Sequence, residues 1–361
     1  MRGAAGACGV RDRPRGALRA SAVGCRRDDR RGDPVSPLLL LDEVGRDFGS
    51  PGALGSWLRR GLGHGERRIV RAVDEVTIAV GRQEVVGLVG ESGCGKSTLG
   101  RIAAGLIAPS RGEVRVDGVA IAGLSAAVRR RSMLRVQMVF QSATASLNPR
   151  QTVREILLEP LRVHRLAPRA ERDDRVADLM RRIGLHTGFL SRDPHQLSGG
   201  QCQRIGIARA LTVAPDLVVC DEPVSALDVS IQAQILNLFQ DLQESLKLSY
   251  LFISHDLSVV ERVSDRVAVM YLGRIVEEAP VASLFGRPSH PYTVALLAAA
   301  PRLGAQRRVA AVVKGERPSP YNPPAGCHFH PRCPRAVELC RRVAPERREV
   351  APGHWSACHL A

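Results

Sequence analysis

The segment Gly90-Glu91-Ser92-Gly93-Cys94-Gly95-Lys96-Ser97 constrains this chain more than any other feature. It fits G-x-x-x-x-G-K-[ST] in full, with the apolar run Glu84–Val89 before it. After it, Leu99, Ile102, Ala103 and Leu106 recur at helical spacing. A strand, a glycine turn and a helix in that order build a phosphate loop. Glycines let backbone amides converge on phosphate oxygens. The helix that follows turns its positive end to the same anion. Gly90, Ser92, Gly93, Cys94 and Gly95 read as the cradle. Lys96 is placed for the β- and γ-phosphates, Ser97 as a ligand of Mg²⁺, and Thr98 for the α-phosphate.

A second acidic element belongs with the loop. Leu217–Cys220 is an apolar strand ending in Asp221-Glu222. A strand tip presents carboxylates beside the phosphates. Asp221 is expected to hold Mg²⁺ through water, and Glu222 to deprotonate the attacking water as general base. A third element, Leu197-Ser198-Gly199-Gly200-Gln201, opens a helix and makes a second anion site from Ser198, Gly199, Gly200 and the first helical amides. One phosphate loop and one further phosphate-binding helix start imply a sandwich of two chains, each closing the other's site.

Composition excludes several alternatives. The chain has 361 residues, 44% hydrophobic and 24% charged, so it can build a core. No apolar run approaches the roughly 18 residues of a membrane span. The N-terminus lacks the apolar stretch of a secretory signal. The net charge of +16 is partly local, since residues 1–37 carry nine Arg against four Asp. Those residues read as a disordered Arg- and Gly-rich tail. Aromatics are 4%, too few for base-stacking platforms to dominate, and no nucleic-acid partner is expected. Nine cysteines without an export signal favour a reduced compartment over a disulfide framework.

With the phosphate loop, Gln141, the Leu197–Gln201 signature, Asp221-Glu222, Ser225-Ala226-Leu227-Asp228 and His255 in this order, the chain resembles the ATP-binding subunits of ABC transporters. The resemblance implies an α/β fold: a RecA-like P-loop core, an antiparallel β subdomain and a helical subdomain at about 142–215. It implies that Gln141 senses Mg²⁺ and water and links to the permease. Asp228 contacts the partner ATPase, and His255 contacts the γ-phosphate. Phe48 is similar to the aromatic that stacks on adenine, although Trp57 lies near it in sequence.

Ala145–Arg150, Cys220–Ser230 and His290-Pro291-Tyr292 resemble the oligopeptide/dipeptide importer ATPases, and the loop around Arg59-Arg60-Gly61-Leu62 resembles their F-type form. This implies a motor at the cytoplasmic face of the membrane. Its partners are two permease subunits, a second ATPase or a second copy, and indirectly an extracytoplasmic binding protein. The cargo is then peptides, with nickel or another small solute as the alternative. A soluble ATPase working on nucleic acid and a degenerate regulatory cassette are the competing classes.

Residues 38–278 are expected to form the ATPase domain and 279–361 an extension. Two departures stand out. Ser142-Ala143-Thr144 replaces the usual acidic residue, proline and aromatic, and Cys202 replaces an arginine, removing a donor near the dimer interface. Cys94 in the loop suggests alkylation-sensitive ATP binding. Cys327, Cys333, Cys340 and Cys358 suit zinc, a [4Fe–4S] cluster, or free thiols or disulfides. The importer resemblance implies the cluster.

Overall fold

The computed structural model describes residues 36–49, 69–299 and 315–361. The tail expected over 1–37 falls almost wholly outside them, as does the insertion read at Ser50–Gly65 with Trp57. Residues Ser36–Ala361 form one compact unit.

Two sheets carry the architecture. Strands β1 (Leu39–Phe48), β2 (Val70–Val80), β4 (Arg111–Val116) and β5 (Val119–Ala120) make an antiparallel sheet in the order β2-β1-β4-β5. The larger sheet contains β3 (Val85–Val89), β6 (Val136–Val139), β7 (Leu217–Asp221), β8 (Ser249–Ile253), β9 (Arg266–Tyr271) and β10 (Arg274–Pro280). Its order β9-β3-β8-β7-β6 is parallel throughout. Such strands are apolar on both faces because both are covered. Val218, Cys220, Tyr250 and Phe252 face one core; Leu217, Val219, Leu251 and Ile253 face the other. The first core is closed by helices Val153–Val163, Gly199–Leu211 and Val229–Leu246, and the second by the antiparallel sheet and helix Lys96–Ala103. That last helix fully buries Leu99 and Ile102, each contributing roughly 1.5–3 kcal/mol.

Between 142 and 215 lie the helices Ala143–Ser146, Val153–Val163, Arg172–Arg182 and Gly199–Leu211. Ser142 caps the first of these by accepting from the Ala145 N–H at 3.3 Å. β9 and β10 form the expected hairpin, with Leu272 and Gly273 at φ 41° and 83°, the positive values that a tight hairpin turn needs.

The C-terminal extension is built onto the main sheet. Its strands β11 (Arg348–Ala351) and β12 (His354–Ser356) continue the sheet beyond β10, Glu277 and Glu278 pairing with Ser356 and Trp355. Tyr292 and Phe329 of the extension share a buried cluster with Tyr271 of β9. The Glu277 carboxylate, 1% exposed, accepts from the backbone N–H groups of Ser289 at 2.6 Å and His290 at 3.0 Å, and meets His354 Nε2 at 2.7 Å. Among the described residues no helix is long and apolar enough to cross a membrane.

Candidate functional site

Parallel strands deliver all their C-terminal ends to one edge, which is where such sheets bind ligands. β3 ends at the phosphate loop, β7 at Asp221-Glu222, and β8 just before His255. The loop is pinched between β9 and β2. A Cβ on Gly90 would lie 2.2 Å from the Met270 carbonyl oxygen, and one on Gly95 2.1 Å from that of Ala72. Both have positive φ, 154° and 113°. Only glycine satisfies both demands.

Inside the loop Lys96 is buried, and its ammonium donates to the carbonyls of Gly90 at 2.7 Å and Glu91 at 3.1 Å. Ser97 Oγ donates to Asp221 Oδ1 at 2.9 Å. Burial pushes the Asp221 carboxyl above the usual range, and the Ser97 hydrogen bond pulls it part of the way back. A buried carboxylate beside a hydroxyl is a hard oxygen pair that suits Mg²⁺.

Glu222 follows at φ 48°, a left-handed conformation that a non-glycine residue holds only when its surroundings impose it. Its N–H donates to the Ile253 carbonyl at 3.0 Å and its carbonyl accepts from Ser225 N–H at 3.3 Å. The carboxylate is thereby aimed at two other residues expected at the site. Gln141 Nε2 donates to Oε2 at 2.7 Å, and His255 Nδ1 lies 3.2 Å from Oε1. Ser92 to Thr98, Gln141 and Glu222 line one cavity of 360 Å³.

The signature lies elsewhere. Ser198 and Gln201 satisfy each other's backbone in a capping box, at 3.3 and 3.0 Å. Gly199 and Gly200 pack toward Leu227 and Ile231, beside exposed Asp228. None of these five lines the phosphate cavity, so they form a second surface. Phe48 does not line it either; it is 37% exposed at the end of β1, with the Arg46 guanidinium 5.0 Å over its ring.

Two expectations are corrected. Cys94 is 2% exposed and burial pushes its thiol up, which protects it from alkylation rather than exposing it. Cys202 is 1% exposed in the helical core, its thiol 3.5 Å from the Pro194 carbonyl, so it does not face a dimer partner.

In the extension Cys327, Cys333, Cys340 and Cys358 are all free thiols. Burial pushes Cys327 up to about 11, and the nearby thiols of Cys340, Cys358 and Cys333 add to the rise. Yet among the described residues no three Cys, His, Asp or Glu side chains come together in a metal-holding group. The thiols are neighbours without forming the ligand set that the importer resemblance implies.

The loop also has partners that its motif does not announce. Arg332 pairs with the Glu91 carboxylate, Tyr292 Oη accepts from the Glu91 N–H, and Arg317 donates to the Ser92 carbonyl. His290-Pro291-Tyr292 was the available signal for one of the three.

The ABC transporter family matches residues 73–225, and the oligopeptide/dipeptide transporter C-terminal region matches 276–340. The oligopeptide transport ATP-binding protein AppF of Bacillus subtilis is 52% identical over 307 residues, covering 84% of this chain and 93% of its own length. The chain belongs to the ABC transporter ATP-binding subunits that carry the oligopeptide/dipeptide C-terminal region. A peptide import ATP-binding chain of Brucella ovis is 51% identical over 290 residues, covering 80% and 92%. Two solved ABC proteins share the fold at a TM-score of 0.58 each. One is the ATP-binding cassette MJ0796, a dimer in a post-hydrolysis state with ADP and phosphate, at 27% identity over 67% of this chain and 98% of its own. The other is cbiO1 of Clostridium perfringens, at 25% identity over 70% and 91%. The chain is thus an ABC transport ATPase, an enzyme that hydrolyses ATP.

Proposed function

We propose that this ATPase drives import of oligopeptides or dipeptides through a membrane permease, working as one of two nucleotide-binding chains at the cytoplasmic face. One observation carries the coupling. Phe140 and Gln141 are adjacent, yet Gln141 lines the phosphate cavity and Phe140 lines a separate cleft of 520 Å³ between the helical region and the sheet. Exposed Leu106 and Val163, at 57% and 66%, border that cleft. A permease helix seated there feels any movement of Gln141 through one peptide bond.

In this reading Glu222 takes the proton of the attacking water. Gln141 and His255 hold the carboxylate and the water in line. Ser97, Asp221 and Gln141 hold Mg²⁺, which when bound neutralises charge on the β- and γ-phosphates. The second chain's Ser198, Gly199, Gly200 and Gln201 close over the γ-phosphate, Asp228 meets that chain, and Phe48 stacks on adenine. The cargo reading rests on the similarity to peptide transport relatives and on the matched C-terminal region. Nickel or another small solute is the alternative.

The test is purification of the tagged chain from solubilised membranes, with mass spectrometry of its companions. Two permeases with a second ATPase support a heteromeric peptide importer. A permease without another ATPase gives a homodimeric motor. Ribosomal or nucleic-acid proteins in place of any permease would sink the transport reading.

The four thiols are the remaining part of the proposal. Their proximity supports a metal-binding role, and the lack of a metal-holding group stands against it. Iron, sulphide and zinc analysis of anaerobically purified chain decides between a [4Fe–4S] cluster, zinc and free thiols.

A further inference from the structure

Glu91 is one of the motif's unspecified positions, and its carboxylate is turned toward the C-terminal extension. Arg332 grips it with two parallel bonds, Nη1 to Oε2 and Nη2 to Oε1, both 3.0 Å. A bidentate guanidinium–carboxylate pair fixes orientation as well as distance. The Arg332 side chain is only 9% exposed, so solvent screens the pair weakly. Arg332 is itself held by Tyr271, whose hydroxyl accepts from Nη1 at 3.4 Å.

Two more ties reach the same stretch. The Glu91 N–H donates to Tyr292 Oη at 2.9 Å. Tyr292 is fully buried; its own N–H donates to His290 Nδ1 at 3.0 Å, and its ring packs on Tyr271 at 4.6 Å and Phe329 at 5.4 Å. Arg317 donates to the Ser92 carbonyl. Three residues separated by up to forty positions in sequence thus hold two consecutive loop residues from outside. From inside, Lys96 holds the carbonyls of Gly90 and Glu91.

A phosphate loop binds through the direction of its amides, so whatever fixes Glu91 and Ser92 fixes the aim of the next four. The pair also neutralises the Glu91 carboxylate, one residue before Ser92 of the phosphate cavity. The geometry points to Arg332 as a positioning residue for nucleotide binding, acting through Glu91 with Tyr292 and Arg317. The extension is then a brace on which the loop's affinity for MgATP depends. This inference rests on the ATPase reading of the loop.

The experiment is calorimetric titration of the full-length chain with MgATP, with melting temperature measured on each variant. Arg332→Gln is expected to weaken binding about tenfold, the size of one lost charge-assisted contact. Arg332→Lys, which keeps the charge and loses the fork, recovers part of that. Glu91→Gln with Arg332→Gln together is expected to cost no more than Arg332→Gln alone, because the two act as one unit. In steady state the KM for MgATP rises while kcat holds. Should Arg332→Gln fail to fold, Tyr292→Phe removes only the hydroxyl that accepts from Glu91, and about threefold weaker binding is expected.

Wild-type affinity in a folded Arg332→Gln and in Tyr292→Phe overturns the inference. So do single-variant losses that simply add in the double variant. Lys96→Ala separates the two levels. If wild type binds MgATP and Lys96→Ala does not, the loop reading stands whatever Arg332 does. If wild type fails to bind, the loop reading itself has failed.

Discussion

The nucleotide corner and the C-terminal extension meet at the phosphate loop, but they are built on opposite principles. At the corner, three adjacent parallel strands bring their ends to one edge, and Asp221, Glu222 and His255 sit within two residues of a strand end. Backbone constraint does the positioning there: Gly90 and Gly95 with no room for a Cβ, and Glu222 held in a left-handed conformation. The extension has short strands and short helices, and side chains do its positioning. Glu277 gathers Ser289, His290 and His354; Arg332 and Tyr292 gather Glu91. A site fixed by backbone is disabled by changes in chemistry, whereas one fixed by side-chain networks comes loose.

The largest effect should come from the corner. Glu222→Gln keeps the Gln141 contact and the shape of the cavity while removing the base. Turnover should fall at least a hundredfold with MgATP affinity retained, since a positioned general base contributes roughly 10²–10⁴. Hydrolysis at the wild-type rate would remove Glu222 from that role. The matching break in the extension is Glu277→Ala. It strips a buried carboxylate from two backbone donors and a histidine, which should lower stability by about 3 kcal/mol. Chemical denaturation would read it. A change near zero would mean that the network around Glu277 does not hold the extension to the sheet.

This contrast also explains what could be read from sequence. Parallel strands buried on both faces are continuous apolar runs, so Leu217–Cys220 and Tyr250–Ile253 announce themselves. The loop, Asp221, Glu222 and His255 follow strand ends at fixed offsets, and the structure brings them together with Gln141. Helix Ala126–Met133 buries no residue, so it carries no apolar period to read. β11 and β12 span four and three residues, too short for alternation to show. Arg332 and Arg317 lie 241 and 225 positions from their loop partners and belong to no motif. Cys202 misled because sequence placed it near an interface, whereas the helix turns its thiol into the core.

Acid should separate the two regions further. His290 is 1% exposed, and burial lowers its pKa from 6.5 to about 4. Its Nδ1 accepts from the Tyr292 N–H at 3.0 Å, which requires a neutral ring. The folded state therefore resists protonation more than the unfolded chain does. The stability it contributes is complete above pH 6.5 and is lost progressively as pH falls toward 4. Between pH 7.5 and 5.5 the loss should be about 1 kcal/mol, close to one pKa unit of differential proton binding. His290→Gln should flatten that slope while being less stable at pH 7.5. An unchanged slope in His290→Gln would assign the acid sensitivity to another group.

The smallest expected effect lies at the edge of the corner, on Phe48. Its ring is 37% exposed and the Arg46 guanidinium already covers one face at 5.0 Å. Adenine stacking there must either use the free face or displace Arg46, so the gain sits at the low end of base–aromatic stacking, about 1 kcal/mol. Phe48→Ala should weaken MgATP binding about fivefold, with melting temperature and kcat unchanged. Because Phe48 does not line the phosphate cavity, the loss should add fully to that of Arg332→Gln. Additive losses would show base and phosphate being held by independent parts of the chain. Strong coupling between the two would mean that the brace extends along β1 to the base.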